Sequence, residues 1–256
     1  MKTKSDRSFD GIAAKFQHNI YNSTKGKVRQ AVLLRDLAEL DILRQPTQIL
    51  DVGAGQGQLS LALAEQGHSV HLTDISADML QIAQQQAQQQ QLANVSFEQI
   101  GLAELASSHQ QRYPLILCHA MLEWLAEPEQ AILQLKRLLA PGGILSLMFY
   151  NKDAKRFGNI LFGNFDYVAA DFQVKKKVSL NPQQPLVPTD VEKWCKHAGF
   201  RLLQKTGVRC FHDYLRDRAL QQSHFDQLLA LELQYNRMEP YASLGRYQHL
   251  LLKADA

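Results

Sequence analysis

The first pattern along the chain is helical. Ile12, Phe16 and Ile20 recur every fourth position, and Leu33, Leu37, Leu40 and Leu43 make a second apolar stripe. Residues 10–43 are therefore predicted to be helices. At residue 48 the period changes. QILDV reads as a short buried strand and runs into a glycine-rich turn. Leu59, Leu61, Leu63 and Ala64 then begin a helix that Gly67 ends. Residues 69–73 read as strand and 78–92 as helix. The glutamine run in that helix is an exposed face, since glutamine is a good helix former. Strands follow at 95–100 and 115–119, then a helix at 129–139 that Ala140-Pro141-Gly142-Gly143 stops sharply. Residues 144–150 are an apolar strand.

Residues 151–187 break this rhythm with aromatics, a run of three lysines and two prolines, and read as an insertion over the carboxyl edge of the sheet. A helix is predicted at 189–198. Residues 200–208 and 247–253 are the last two strands, a long hairpin around a helix at 225–235. The alternation of strand and helix predicts an α/β fold, a mostly parallel sheet covered on both faces. The expected division is a helical cap (1–44), a core (45–150), the insertion (151–187), and closing helices and strands (188–256), all in one domain.

Composition agrees with one soluble domain: 256 residues, 45% hydrophobic and 21% charged. No window has the apolar length of a membrane span. MKTKSDRSFDG carries charges with no apolar region behind them, so no signal peptide is expected. Cys118, Cys195 and Cys210 are too widely spaced for a disulfide framework or a metal pair and suit a reducing, cytoplasmic compartment. No metal is expected: His68 and His71, if extended, face opposite sides of a strand. The net charge of +3 permits an anionic partner without requiring one. Basic residues cluster at Lys25, Lys27 and Arg29, at Lys175, Lys176 and Lys177, and at Arg209, Arg216 and Arg218. Each cluster has a plainer reading as a solvated face.

The stretch that carries chemistry is Asp51-Val52-Gly53-Ala54-Gly55-Gln56-Gly57, directly after the first strand. Glycines at alternate positions let the backbone turn tightly and a ligand come close. The following helix begins there with free N–H groups. The spacing G-x-G-x-G misses the last glycine of the dinucleotide fingerprint, so a nicotinamide-dependent oxidoreductase fits poorly. Asp51 can meet a cationic ligand group. Asp74 ends the second strand, where a carboxylate can accept from both ribose hydroxyls; its plainer role is to cap the turn before Ser76.

These features, over residues 45–150, resemble the class I S-adenosylmethionine-dependent methyltransferases. The resemblance implies a Rossmann-like, mostly parallel, seven-stranded sheet. It implies that the turn Gly53, Ala54, Gly55 and Gly57 cradles the methionine part of S-adenosylmethionine, with Asp74 on the ribose and Leu102 and Ala103 beside the adenine. His119, at the end of the fourth strand, would lie beside the methyl-transfer site; the alternative is a packed, hydrogen-bonded histidine. Pro114 stands where such sequences often have Asp. A wider resemblance, over nearly the whole chain, rests on FDGIAAKFQHNIYNSTKGKVRQ, LCHAMLEWLAEP, PGGILSLMFYN, GNFDYV, KTGVRCFHDYLRD and EPYASLGRY. These blocks are similar to the tRNA 5-carboxymethoxyuridine methyltransferase family. That family methylates the carboxylate of 5-carboxymethoxyuridine at the tRNA wobble position to the methyl ester. It also implies that Arg29 meets the cofactor carboxylate, as a guanidinium can through two parallel hydrogen bonds.

The chemistry is consistent with that reading. A carboxylic acid with a pKa of roughly 4 is already ionised at neutral pH and needs no general base. The sequence offers no Ser-His-Asp, Cys-His or paired-carboxylate arrangement, and His119 is expected to position rather than to take a proton. Arg209 or Arg246 is expected to clamp the substrate carboxylate; the rival is a structural ion pair with Asp213 or Glu239. Tyr150 and Phe149, with Phe165 and Tyr167, are candidates to stack on a flipped-out base of the tRNA, or else are aromatic core. Lys175, Lys176 and Lys177 are candidates for the tRNA backbone. Two other classes stay open: a methyltransferase of a small carboxylic acid, and a non-catalytic module that binds tRNA or cofactor.

Overall fold

The computed structural model describes residues 23–173 and 184–255. The positions Ile12, Phe16 and Ile20 and the lysines 175–177 lie outside them. Helix α1, Thr24–Ala38, starts on Ser23, whose side chain accepts from the Gly26 N–H, and buries Val28, Val32, Leu33 and Leu37. A short 3-10 turn, Asp41–Arg44, leads into the sheet. Strands β1 (Gln48–Val52), β2 (Ser69–Asp74) and β3 (Val95–Gln99) alternate with α2 (Gln58–Glu65) and α3 (Ala77–Gln89). After α4 (Leu102–Ser108) come β4 (Tyr113–His119), α5 (Pro128–Leu138) and β5 (Leu139–Tyr150). Helices α6 (Lys152–Leu161), α7 (Phe165–Ala169) and α8 (Pro188–His197) precede β6 (Phe200–Val208). Three short helices, α9 (Leu220–Ser223), α10 (Phe225–Tyr235) and α11 (Tyr241–Leu244), separate it from β7 (Tyr247–Ala254).

The seven strands form one sheet in the order β3-β2-β1-β4-β5-β7-β6. The first five are parallel. β7 runs antiparallel to both β5 and β6. β1 and β4 read as unbroken apolar runs because both of their faces are covered. Leu50, Val52, Ile116 and Cys118 pack with Leu105 of α4, Ile132 and Leu135 of α5 and Val191 of α8. Ile49, Leu115 and Leu117 point the other way, against Leu37 of α1, Leu63 of α2 and Leu80 and Ala83 of α3. α1 also packs on α10 through Val28 and Val32.

The structure moves several boundaries. β5 begins at Leu139, not 144, because Tyr113 pairs with Leu139 and the register shifts before Leu115. The helix ends at Leu138, before the Pro-Gly-Gly segment, which lies within the strand with Gly142 at φ +69°. β4 begins two residues earlier than expected for the same reason. α3 starts at Ala77, where the Ser76 hydroxyl accepts from the Met79 N–H, and ends at Gln89. The segment expected to be an insertion carries α6 and α7. Asn151 caps α6, accepting from the N–H groups of Asp153 and Ala154. No described helix is long and apolar enough to cross a membrane.

Candidate active site

Strand order reverses between β1 and β4, which opens a crevice at their carboxyl ends. The glycine turn lies there. Gly53, Gly55 and Gly57 take φ of +70°, +57° and +69°, the left-handed region that side chains avoid. A Cβ at Gly53 would fall 2.8 Å from Met121 Sδ, and one at Gly57 2.6 Å from Leu72 Cδ2. The turn is tied to β2. Gly53 and Ala54 N–H groups donate to the Thr73 carbonyl at 2.9 and 3.0 Å. The Asp74 carboxylate accepts from Gly55 N–H at 2.9 Å through one oxygen and from Ser76 N–H at 2.8 Å through the other. The turn-capping role of Asp74 is therefore present, and the same side chain shapes the glycine loop. A carboxylate at this place is the kind of acceptor that suits a ribose diol.

Arg29 of α1, Asp51, Gly53, Ala54 and His119 line one pocket beside the turn. Leu102 and Ala103 lie apart from it, at the start of α4 after β3. Asp51 is buried and accepts from the Ser60 hydroxyl at 2.5 Å. Burial, with Asp74 repelling it, pushes its carboxyl up to about 7 despite that hydrogen bond. The His119 ring bonds Ser146 Oγ through Nε2 at 2.8 Å. Burial, and the nearby His249 and Arg29, hold the imidazole well below its usual range, so it is neutral at physiological pH.

Glu123, on the 3-10 turn Leu122–Trp124 after β4, was not legible as a site residue. It is fully buried, and both carboxylate oxygens lack a hydrogen-bond partner among the described residues. Burial raises it to about 7, against the pull of its own and Tyr150's nearby backbone N–H groups and of Arg29. The linkage sign follows. The unfolded carboxyl ionises from pH ~4.5 while the folded one stays protonated up to about 7, so stability falls as pH rises across that window. Glu123→Gln removes this loss. Its stability relative to wild type should improve by about 3 kcal/mol between pH 4.5 and pH 8. Denaturant unfolding at the two pH values measures it, and a pH-independent difference would contradict the assignment.

A second cluster sits at the same sheet edge, where β5 and β6 end and β7 begins. Tyr150 and Tyr247 are paired across the strands with ring centroids 5.4 Å apart. The Arg246 guanidinium lies 5.0 Å over Tyr150, and that of Arg209 lies 5.4 Å over Tyr247. Arg209, at φ +63° just past β6, donates to Asp213 at 2.7 Å. Arg246 reaches the same Asp213 oxygen only at 3.7 Å through Nε. Arg209 Nε is buried without a hydrogen-bond partner among the described residues. The two arginines and His212 hold the Asp213 carboxyl far below the usual carboxylate range, overcoming burial. Of the two acidic rivals, Asp213 is the one present; Glu239 pairs with Lys205 instead.

Two aromatic expectations change. Phe149 is fully buried in the core and offers no face to a base. Tyr150 is covered by Arg246 and Tyr247, which leaves it a support for the arginine rather than a stacking platform. Phe165 is 65% exposed at the start of α7. Tyr167 packs edge-on against Phe172 beneath the Lys155 ammonium. His68 and His71 do not converge: His68 Nδ1 accepts from Thr47 N–H, while His71 bonds Ser96 and Glu98. Among the described residues no group of three His, Cys, Asp or Glu side chains is placed to hold a metal ion. The three cysteines are free and buried.

Residues 43–177 match the family described as a methyltransferase domain. Over 96% of this chain and 95% of theirs, two Escherichia coli proteins named tRNA 5-carboxymethoxyuridine methyltransferase are 45% identical to it. The chain belongs to that family. A ubiquinone biosynthesis O-methyltransferase of Coxiella burnetii is 32% identical over 66% of this chain and 70% of its own. Among solved structures, the magnesium protoporphyrin IX methyltransferase of Synechocystis with bound SAH superposes with a TM-score of 0.65 at 17% identity, covering 96% of each chain. That likeness is one of fold: the seven-stranded, mostly parallel Rossmann-like sheet with a single antiparallel strand. This tRNA 5-carboxymethoxyuridine methyltransferase family member uses S-adenosylmethionine. Its left-handed glycines close the turn where a Cβ would strike Met121 or Leu72, and its polar groups suit that molecule: carboxylates at Asp51 and Asp74 and a cation at Arg29.

Proposed function

We propose that this chain transfers a methyl group to the carboxylate of 5-carboxymethoxyuridine at the wobble position of tRNA and forms the methyl ester. S-Adenosylmethionine, when bound, supplies an electrophilic methyl group on a sulfonium. Asp74 would hold its ribose, and the turn from Gly53 to Gly57 its methionine part, with Arg29 on the carboxylate and Asp51 facing the ammonium. Leu102 and Ala103 would flank the adenine. The observation that carries the substrate side is the pair of guanidiniums over two paired, tilted tyrosines at the crevice edge, one of them with a buried N–H lacking a partner among the described residues. Such a pair is built to meet an anion.

The substrate oxygen arrives ionised, so the residues need only place it. In-line placement alone can lower a barrier by roughly 7–11 kcal/mol. His119, neutral and hydrogen-bonded inward, is a positioning residue. The loosely held Arg246 suits this task better than Arg209. A clamp that bound the ground state too firmly would gain nothing in rate.

The tRNA itself would lie over α6 and α7. Phe157, Ile160, Leu161, Phe162 and Phe165 are exposed there, and the Arg218 guanidinium stacks 5.4 Å from the Phe162 centroid. Exposed aromatics interleaved with cations suit unstacked bases of a single-stranded loop, at about 1–3 kcal/mol per base. Phe162→Ala combined with Phe165→Ala should raise the KM for tRNA about tenfold or more and leave S-adenosylmethionine affinity unchanged. An unchanged KM would remove this face from the interface. The overall reading is tested by methyl transfer from labelled S-adenosylmethionine to bulk tRNA. The expected product is labelled tRNA whose label mild alkali releases as methanol. Label that survives alkali would exclude an ester.

A further inference from the structure

Behind the pocket lies a chain of hydrogen bonds that crosses the sheet. His119 Nε2 meets Ser146 Oγ at 2.8 Å, and Ser146 Oγ meets His249 Nε2 at 2.8 Å. His249 Nδ1 meets Asp36 Oδ2 at 2.8 Å. The other Asp36 oxygen accepts from Arg35 at 2.7 Å and from Arg237 at 2.8 Å. Asp36, Ser146 and His249 are buried and come from α1, β5 and β7. Polar groups are rarely put in such positions without a use, since each must find a partner or cost about 1–3 kcal/mol. The charged and titratable groups around the chain are few. Arg35, Arg237 and the Thr206 hydroxyl face Asp36, Glu39 faces Arg237, and Arg29 faces His119.

We propose that Asp36, His249 and Ser146 act as a buried relay that fixes His119 in the Nε2–H form, so that its Nδ1 is held as an acceptor toward the pocket. The proposal takes His249 in its neutral form, and the direction of every bond then follows from Asp36. Held ionised by two arginines, it only accepts, so His249 places its single proton on Nδ1. His249 Nε2 then carries a lone pair and takes the Ser146 O–H. Ser146 Oγ in turn accepts the His119 Nε2–H. The remaining His119 nitrogen, Nδ1, has no partner among the described residues and belongs to a side chain lining the pocket. A lone pair there suits a cationic N–H donor such as an amino-acid ammonium. A second proton on His249 reverses the chain. Its Nε2–H then donates to Ser146, Ser146 donates to His119 Nε2, and Nδ1–H becomes a donor that repels the same ligand group. The ligand part of this inference rests on the cofactor reading above; the tautomer part does not.

The test is a long-range proton–nitrogen correlation spectrum of the full chain labelled with 15N-histidine at neutral pH. The expected result is the Nε2–H form at His119 and the Nδ1–H form at His249. Ser146→Ala should leave His119 averaging between both forms, and Ser146→Thr, which restores a hydroxyl, should recover the single form. Asp36→Asn can donate as well as accept, so it should let the chain reverse and lower S-adenosylmethionine affinity about tenfold. A His119 ring in the Nδ1–H form in the wild type, or one unmoved by Ser146→Ala, would overturn the relay. Expected tautomers in a protein that does not bind S-adenosylmethionine would instead overturn the cofactor reading and leave the relay standing.

Discussion

Asp74→Ala should weaken S-adenosylmethionine binding at least a hundredfold, the largest single loss expected on the cofactor side, since hydrogen bonds to a charged group contribute about 1.5–3 kcal/mol each. The side chain has two duties. It accepts from the N–H groups of Gly55 and Ser76, which sets the shape of the glycine loop and the start of α3. In the proposed reading it would also accept from the ribose hydroxyls. Alanine removes all of these at once and leaves two backbone N–H groups without their acceptor. Asp74→Asn keeps one oxygen and should lose only about tenfold. Titration calorimetry with S-adenosylmethionine separates the variants. Equal affinity for wild type and Asp74→Ala would mean that the loop needs no carboxylate and that the ribose is held elsewhere.

Arg246→Ala should lower kcat/KM for tRNA at least a hundredfold while leaving S-adenosylmethionine affinity and thermal stability close to wild type, as expected for losing a charge-assisted pair made with the substrate. Arg209→Ala behaves differently. Arg209 is the close partner of Asp213, at 2.7 Å. Removing it leaves a mostly buried carboxylate with only His212 and the distant Arg246, a change that costs about 3–5 kcal/mol in comparable cases. Activity and stability should fall together in that variant. Rates at saturating S-adenosylmethionine, paired with thermal melts, distinguish the two arginines. Loss of activity in Arg209→Ala alone, with Arg246→Ala unaffected, would move the clamp to Arg209.

The strand–helix alternation was legible because each buried strand is a short apolar run and each helix keeps one stripe. The crevice was legible for a local reason: Asp51 and the glycine turn are contiguous in sequence, and Asp74 ends the very next strand. The start of β5 was not. Proline and two glycines read as a stop, and only the Tyr113–Leu139 pairing shows the strand running through them. Helices α6 and α7 were missed because large apolar side chains on their surface obscure a buried stripe. The choice between Arg209 and Arg246 depended on the fold of the segment between β6 and β7, where Asp213 is presented to both. The relay did leave a trace. Asp36 interrupts the leucine stripe of α1, Ser146 sits inside an apolar run of β5, and His249 directly precedes the three leucines of β7. A polar residue on a buried face implies a partner, but sequence does not say which.

The central claim is that the carboxylate of a tRNA nucleoside accepts the methyl group. The direct test combines the purified chain, S-adenosylmethionine and tRNA from a strain lacking this protein, then resolves the nucleosides by mass. The account predicts that 5-carboxymethoxyuridine gains one methyl group, that mild alkali removes it, and that Arg246→Ala in the same assay leaves the nucleoside largely unmodified. Unchanged 5-carboxymethoxyuridine in the presence of bound S-adenosylmethionine would contradict it and direct the search to small carboxylic acids.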